Sequence, residues 1–468
     1  MRRRCLLVLV VVVVAAALPA VAAARPYKVK DLQVISGPSP FVAGCPGAAF
    51  DDTNITGHEL EPMITVNRAN PRNIVATWKQ DVGPNSTRAD LVASSLDGGR
   101  TWTRSTLPGH TACTGGTADA GSDPWVSSDR GGTVYFSGLT AVFSVEATLT
   151  AIVASHSNDG GRSWPSPATL AQHAPGNETP AITGSPTRAG EAYVVWADFA
   201  MSNVKFSRTT DGGASWTAPV VVDHAVGAAV FDLAPRLLVL PDGTLLTVFG
   251  RAYPEIGLAE GYAARSRDGG RTWAPAVRFL SQPVETFFDP EHPEEELPQP
   301  LFPSAAVAPD GSVYVAVERP TSASSGAIGV FKSRDGGLTW SSATLPGVSA
   351  YAFEPSIAVD SRGTVGITWY DLRNDRPGDE RLTADVWFAS SRNRGASWRQ
   401  THVAGPTDLR TAPLARHNRV GEYQGLAALR GRGFAAAFTL AAPFAEDGPT
   451  DIFYASIRPG KCKHHRSC

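Results

Sequence analysis

Three arginines occupy matching places in consecutive sections of the chain. Each follows a short apolar run typical of a β-strand: Phe249-Gly-Arg251, Val317-Glu-Arg319 and Tyr370-Asp-Leu-Arg373. A guanidinium group is a planar fork of donors that can make two parallel, charge-assisted hydrogen bonds to one carboxylate. Converging strands would therefore bring the three arginines around a carboxylate-bearing ligand. The alternative is that they are solvated charges at strand ends.

Two further groups of residues suggest chemistry. His417, Arg419 and Tyr423 lie close together in the sequence and could serve a uronate polysaccharide lyase as base, carboxylate neutraliser and acid. The insertion from Glu285 to Glu296 contains six acidic residues, which could bind Ca²⁺ through carboxylate oxygens or form a solvated loop.

An octapeptide of the form Ser-x-Asp-Gly-Gly-x-Thr-Trp recurs along the chain. Start-to-start steps are 62, 52, 57, 67 and 58 residues, a period that fits one β-sheet blade with its connection. An aspartate can fold back onto nearby backbone N–H groups, and Gly-Gly supplies the positive φ angles of a hairpin turn. The third position of each copy is occupied by Asp97, Asp159, Asp211, Asp268, Asp335 and Asn393.

This repeat resembles the Asp box (BNR repeat) of sialidases and related β-propellers. The resemblance implies an all-β propeller of four-stranded antiparallel blades, in which each box joins the third and fourth strands. It also implies that the boxes are structural and lie away from the active site.

Counting strands predicts seven blades, with six as the alternative. After the last octapeptide the chain still offers three strands, at Tyr423–Arg430, Gly433–Leu440 and Asp451–Ile457. The segment Tyr27–Ser36 could supply the fourth, so both ends of the chain would close the ring and leave no exposed sheet edge. Sialidase catalytic domains have six blades, so seven would be a departure from that family.

The segment Glu422-Tyr423-Gln424-Gly425-Leu426 looks like the one that carries the sialidase tyrosine. The resemblance implies that Tyr423 is a nucleophile, that Glu354 or Glu422 accepts its proton, and that the three arginines named above hold the substrate carboxylate. Alternatively, Tyr423 simply packs against the channel wall.

The match to the family is incomplete. The family's Arg-Ile-Pro motif before the first inner strand is replaced here by Glu61-Pro62-Met63. No motif assigns the acid/base aspartate. The remaining candidates are Asp81 and Asp123 for that role, and Arg236 and Arg419 for substrate binding.

The N-terminus is typical of a secretory signal peptide at residues 1–24. Three arginines precede an apolar run from Cys5 to Leu18, which is 14 residues long and therefore shorter than the ~20 that span a bilayer. We expect a single propeller domain over residues 25–458 and a short tail over 459–468.

Four cysteines remain after the leader, and an even number in an exported chain permits two disulfides. The natural pairs are Cys45 with Cys113 and Cys462 with Cys468.

The net charge of −2 lacks the basic excess that nucleic-acid binding needs. The resemblance to sialidases implies a protein that acts on a glycan or glycoconjugate. With the N-terminal segment, we expect it to be secreted and monomeric, without a cofactor, a resident metal or membrane attachment after cleavage. The leading hypothesis is an exo-α-sialidase-type hydrolase. The alternatives are a non-catalytic glycan- or protein-binding propeller and the lyase described above.

Overall fold

The computed structural model of the chain describes residues 26–460, except 145, 226–229, 285–286, 296, 298–301, 323–324, 349–350 and 416–418. The strands of this part form seven four-stranded antiparallel sheets. Each sheet is one blade around a common axis, so the prediction of a seven-bladed propeller is confirmed.

The first four blades follow one another along the chain. Blade 1 contains β2 (Glu59–Val66), β3 (Ile74–Val82), β4 (Thr87–Ser95) and β5 (Thr103–Thr106). Blade 2 contains β6 (Ala120–Ser128), β7 (Val134–Phe143), β8 (Thr148–Ser157) and β9 (Ala168–Ala174). Blade 3 contains β10 (Asn177–Gly184), β11 (Ala192–Asp198), β12 (Asn203–Thr209) and β13 (Val220–His224). Blade 4 contains β14 (Phe231–Val239), β15 (Leu245–Tyr253), β16 (Leu258–Ser266) and β17 (Val277–Pro283).

The remaining blades complete the ring. Blade 5 contains β18 (Ser304–Val307), β19 (Val313–Ser322), β20 (Ser325–Ser333) and β21 (Ser341–Thr344). Blade 6 contains β22 (Ala352–Val359), β23 (Val365–Asp371), β24 (Thr383–Ser391) and β25 (Arg399–Asp408). Blade 7 contains β26 (Gly425–Leu429), β27 (Gly433–Leu440), β28 (Asp451–Pro459) and β1 (Tyr27–Val34). Short 3-10 turns cover Asp51–Thr53, Ala112–Thr114, Pro254–Ile256 and Leu409–Thr411.

Burial follows the radial order of the strands. The second strand of blade 1 is buried along almost its whole length, whereas the outermost strand, β5, is largely exposed. Both faces of a middle strand pack against neighbouring blades, which explains its near-continuous apolar run. Trp78, Trp196 and Trp369 lie at equivalent points of the second strands in blades 1, 3 and 6 and are fully buried.

The two ends of the chain close the ring as the strand count predicts. The N-terminal β1 is the outermost strand of blade 7 and pairs antiparallel with β28, with Tyr27 opposite Pro459. The Tyr27 ring packs against Phe388 of blade 6 and Phe434 of blade 7, at centroid distances of 5.3 and 5.9 Å. Closure therefore combines backbone pairing with an aromatic contact between blades.

Each repeated octapeptide forms the turn between the third and fourth strands of a blade. In blade 1, Asp97 Oδ1 accepts hydrogen bonds from the backbone N–H groups of Arg100 (2.9 Å) and Thr101 (3.0 Å), and Oδ2 accepts one from the Thr101 hydroxyl (2.7 Å). In blade 3, hydrogen bonds from Ser215 to Asp211 lower the pKa of that carboxyl to about 2. The aspartates are thus occupied in holding the turn.

The second glycine of these turns packs against the preceding blade. Gly270 has φ +86°, and a Cβ built there would lie 2.1 Å from a ring carbon of Phe206 in blade 3. We expect Gly270→Ala to lower the free energy of unfolding by about 3 kcal/mol, since backbone strain and overpacking add. Gly243→Ala is the matched control because its φ is +84° with no atom within 4 Å of the added Cβ. Urea unfolding of both variants measures the difference, and equal losses would contradict this account.

The segment between β1 and β2 is tied to blade 1 and to the 3-10 turn after β5. Cys45 and Cys113 form a disulfide with a Cα–Cα distance of 4.9 Å. Arg88 donates to Asp51 at 2.8 Å and to Asp81 at 3.0 Å, so this segment is also held by ion pairs. Cys462 and Cys468 lie outside the described residues, as does the segment 1–24 that the sequence predicts to be a signal peptide.

Among the described residues, no helix has the length and apolar character that a membrane crossing requires.

Candidate functional site

Five inner strands contain a bulge at an X-Pro step, and all five bulges are at the same level of the propeller. The register shifts between Leu60 and Met63 in blade 1, and at equivalent points in blades 2, 3, 4 and 6. The residue before proline has a positive φ in each, at Glu61, Asp123, Thr179, Ala234 and Glu354. A positive φ costs a non-glycine residue about 1 kcal/mol or more, and such strain clusters at functional sites. The bulges lie at the end of the axis opposite the octapeptide turns.

Tyr423 lies at this end of the axis, immediately before β26. Its side chain is buried, and its hydroxyl donates to the Pro124 carbonyl oxygen at 3.4 Å. Burial raises the pKa of Tyr423 well above its ordinary value, and the nearby Glu61 and Asp123 carboxyls raise it further. The phenol is therefore neutral at pH 7 and needs a base to become a nucleophile.

Glu61 is the carboxyl group best placed to interact with that phenol. Burial raises the pKa of Glu61 and the nearby Asp123 carboxyl adds to the rise, while an ion pair with Lys79 at 3.1 Å opposes it. Burial lowers the pKa of Lys79, but Glu61, Asp123 and Glu422 outweigh that effect and raise it overall. A carboxylate whose pKa is raised is a stronger base than an ordinary one, which suits proton exchange with a neighbouring phenol.

Arg236 is the cation nearest to the Tyr423 ring. Its guanidinium carbon lies 4.0 Å from the Trp125 ring centroid and 5.9 Å from that of Tyr423. Its Nη1 donates to the Pro235 carbonyl oxygen at 3.0 Å, and it forms no ion pair with any described residue. Burial lowers its pKa to about 10, so it stays protonated at neutral pH.

The inner strands enclose an axial channel of about 1070 Å³ below the bulges. Arg236, Trp125 and Met63 line its upper end, where the channel meets the polar cluster. We use "polar cluster" for Glu61, Lys79, Asp123, Arg236, Glu422 and Tyr423.

The other residues of the polar cluster have defined surroundings. The Asp123 carboxyl accepts hydrogen bonds from the Ser122 hydroxyl at 2.8 Å and from the Thr179 backbone N–H at 2.9 Å. Glu422 is half-buried. Its charge raises the pKa of Lys79, and it also opposes the effect of burial, which lowers the pKa of Arg236.

The structure does not bring the three strand-end arginines to Tyr423 as free cations. Arg251 pairs with Asp232 and Asp223, at 2.6 Å each, and Arg373 pairs with Asp371 at 2.5 Å. Arg319 is half-buried beside Gly329 and forms no ion pair with a described residue. Two of the three guanidinium groups are therefore already neutralised, Arg373 by an aspartate of its own blade and Arg251 by aspartates of its own and the preceding blade.

Asp81 and Arg419 also have structural partners. Asp81 accepts hydrogen bonds from Ser39 at 2.6 Å, Gly57 at 2.8 Å and Arg88 at 3.0 Å, and these partners anchor the segment before β2. Arg419 pairs with Glu295 of the acidic insertion. His417, proposed above as a lyase base, lies outside the described residues.

A second group of carboxyls lies between blades 5 and 6. Glu318 Oε1 accepts the Glu354 backbone N–H, and both side chains are buried. Burial raises the pKa of Glu318 to about 8. Burial also raises the pKa of Glu354 well above its ordinary value, and the nearby carboxyls of Glu318, Glu61 and Glu422 raise it further. Glu354 is thus near the polar cluster, but the described contacts connect it with Glu318 and not with the Tyr423 hydroxyl.

The raised pKa of Glu318 predicts how stability changes with pH. The folded-state value of about 8 exceeds the ordinary 4.5, so the stabilisation it gives is complete below pH ~4.5 and is lost as the pH rises through 8. Glu318→Gln removes this loss, and we expect the variant to gain about 2 kcal/mol relative to wild type between pH 5 and pH 8. Denaturant unfolding in EDTA-containing buffer at several pH values measures the gain. If the free energy of unfolding changes with pH in the same way in both proteins, the raised pKa does not belong to Glu318.

Sequence reasoning did not single out Glu61 as a base, or Lys79 and Trp125 as neighbours of Tyr423. The repeated Glu/Asp-Pro step at the start of inner strands could have indicated Glu61, because it recurs at Asp123 and Glu354. Lys79 and Trp125 reach the site only through strand pairing and blade packing, which the sequence does not display.

Solved structures with the same fold share little sequence with this chain. A protein of unknown function from Dyadobacter fermentans is 14% identical with a TM-score of 0.52, covering 93% of this chain and 100% of that one. Penicillium chrysogenum α-L-arabinanase complexed with arabinobiose is 14% identical with a TM-score of 0.50, covering 92% and 98%. Trypanosoma rangeli sialidase is 11% identical with a TM-score of 0.50, covering 91% of this chain and 59% of that one.

No family model and no curated protein matches the sequence. The comparisons therefore establish the propeller fold, and the activity must be argued from the residues.

Proposed function

We propose that the protein is a secreted glycan-directed hydrolase of the exo-α-sialidase type, with its active site in the polar cluster. The observation that carries the proposal is the grouping of Tyr423, Glu61 and Asp123 beside Arg236, an arginine without an ion pair among the described residues. The octapeptides, which resemble Asp boxes, and the Tyr423 segment support the same proposal.

Each residue has a role in the proposed double displacement. Glu61 accepts the phenolic proton as Tyr423 oxygen attacks the anomeric carbon, while Asp123 donates a proton to the departing glycosidic oxygen. Water then attacks the same carbon, Asp123 takes its proton, and the Tyr423 oxygen leaves and recovers its proton from Glu61. Two inversions return the α configuration.

The charge of the polar cluster is compatible with an acidic sugar. Arg236 is a buried cation with an unfilled capacity for a carboxylate, and Lys79 is a second cation close by. Lys79 offsets the charge of the Glu61 carboxylate, and burial raises the pKa of Glu354, which reduces the negative charge that would repel an anionic substrate.

Incubation of the pure protein with sialyl-lactose and with a fluorogenic sialoside tests the proposal. We expect release of free sialic acid, initially as the α anomer when followed by nuclear magnetic resonance. Absence of release from both substrates would end the hydrolase proposal.

One observation favours a second candidate, a non-catalytic glycan-binding propeller. Arg251 and Arg373 are held by aspartates, so the three-arginine carboxylate clamp expected from the family resemblance is incomplete. A glycan array that shows binding without cleavage would support this candidate.

A further inference from the structure

Four side chains between blades 4, 5, 6 and 7 present oxygen atoms that have no partner among the described residues. Glu354 leaves both carboxyl oxygens unpaired and Glu318 leaves Oε2 unpaired, while Gln282 and Gln424 each leave the amide oxygen unpaired. Their exposed fractions are 2% for Glu354 and Gln424, 5% for Gln282 and 6% for Glu318. Burying so many unpaired acceptors is costly unless something binds them.

The two glutamines are directed at the same pair of residues. Gln282 donates through Nε2 to the Glu318 carbonyl oxygen at 3.2 Å, and Gln424 donates to the Glu354 carbonyl oxygen at 2.8 Å. The Glu354 backbone N–H in turn binds the Glu318 carboxyl. These contacts, which run through main-chain groups of Glu318 and Glu354, connect the four residues into one group, which we call the carboxyl–amide group.

No protein cation balances this group among the described residues. The charged groups that act on the Glu318 and Glu354 carboxyls are each other, Glu61 and Glu422, all acidic. The Tyr351 phenol faces both carboxyls and the Tyr370 phenol faces Glu354. Lys79 instead pairs with Glu61, and Arg236 stacks on Trp125. The carboxyl–amide group therefore contains two buried carboxyls with no counter-charge from the described residues.

We propose that the carboxyl–amide group binds one hard divalent cation of the Ca²⁺ type. Carboxylate and amide oxygens are the ligands that Ca²⁺ takes in proteins, and its flexible coordination tolerates a mixed set of side chains completed by water. The group contains no imidazole or thiolate, so it does not suit Zn²⁺.

In the acidic insertion, the other candidate for Ca²⁺ in the sequence, three of the described carboxyls already have arginine partners. Arg410 pairs with Asp289 at 2.7 Å and with Glu291 at 2.9 Å, and Arg419 pairs with Glu295. Glu318 and Glu354 of the carboxyl–amide group have no cationic partner among the described residues, and they lie beside the polar cluster. The cation would help to order the bulge at Glu354, and this inference does not depend on the proposed hydrolase activity.

Calorimetric titration of the EDTA-stripped, dialysed protein with CaCl₂ tests the site. We expect one ion per chain with a dissociation constant of roughly 0.1 to 1 mM, the range of extracellular calcium sites. Binding should be tighter at pH 8 than at pH 6 and should release protons, because burial raises the pKa of both carboxyls.

Glu354→Gln and Glu318→Gln should each weaken Ca²⁺ binding by about tenfold or more. Both are isosteric, and melting in EDTA checks that each folds. If one does not fold, the other still tests the site. The matched control is Glu294→Gln, which removes an exposed carboxyl of the acidic insertion and should leave the affinity unchanged.

Two outcomes would overturn the proposal. The first is no heat and no rise in melting temperature at millimolar CaCl₂, which would mean that the carboxyls are neutralised by protons alone. The second is a loss of binding in Glu294→Gln with normal binding in the other two variants, which would place the ion in the insertion.

Discussion

Replacing Tyr423 with phenylalanine is expected to lower kcat/KM for a sialoside by about 10³-fold or more, without a comparable loss of stability. The hydroxyl is the proposed nucleophile, whereas its only described hydrogen-bond donation is a long one, 3.4 Å to the Pro124 carbonyl oxygen. The ring, which packs 5.5 Å from Trp125, remains in the variant. Removing a nucleophile costs orders of magnitude in rate, whereas losing one weak hydrogen bond costs about 1 kcal/mol of stability.

Tyr193→Phe is the matched control. Tyr193 lies in β11 and interacts with a glutamate, Glu191, but near the inner turns of blade 3, at the opposite end of the propeller from Tyr423. The kcat/KM of Tyr193→Phe should stay within about threefold of that of the wild type. Equal rates for the wild type and Tyr423→Phe would show that Tyr423 is a wall residue.

Removing the disulfide is expected to produce the largest loss of stability. The bond joins residues separated by 68 positions, and the chain-entropy relation for a loop of that length gives about 4 kcal/mol. The double variant Cys45→Ser, Cys113→Ser should therefore unfold at a markedly lower denaturant concentration. The loop it closes contains β2 to β5, so the constraint acts on the whole of blade 1.

Ser39→Ala provides the comparison for the disulfide. It removes the Ser39 hydrogen bond to Asp81 in the same region without opening the loop, and should cost only about 1 kcal/mol. If the double cysteine variant loses no more than Ser39→Ala, the disulfide does not constrain the unfolded chain as described.

The propeller could be predicted because its determinants are local and repeated. Asp97 and its five equivalents bond within four residues of themselves, so the turn is specified by the octapeptide alone. The pairing of β1 with β28 was predictable from counting strands, since three strands without a fourth would leave an open edge.

The candidate site could be predicted only in part, because it depends on partners that are distant in sequence. Arg373 and Asp371 are only two residues apart, so their ion pair could have been predicted from the sequence. The ion pair of Arg251 with Asp232 depends on the register between β14 and β15, which the sequence does not specify. The carboxyl–amide group combines residues of four blades and has no local pattern at all. The bulge that places Glu61 beside Tyr423 is likewise a consequence of ring geometry.

In the proposed reaction, Tyr423 becomes covalently bonded to the sugar. This bond can be detected by incubating the protein with a fluorinated sialoside, which slows breakdown of a glycosyl intermediate, and analysing the digested protein by mass spectrometry. We expect one sugar per chain, attached to the peptide that contains Tyr423 and absent from Tyr423→Phe. An adduct on Glu61 or Asp123, or turnover without any adduct on Tyr423, would contradict it.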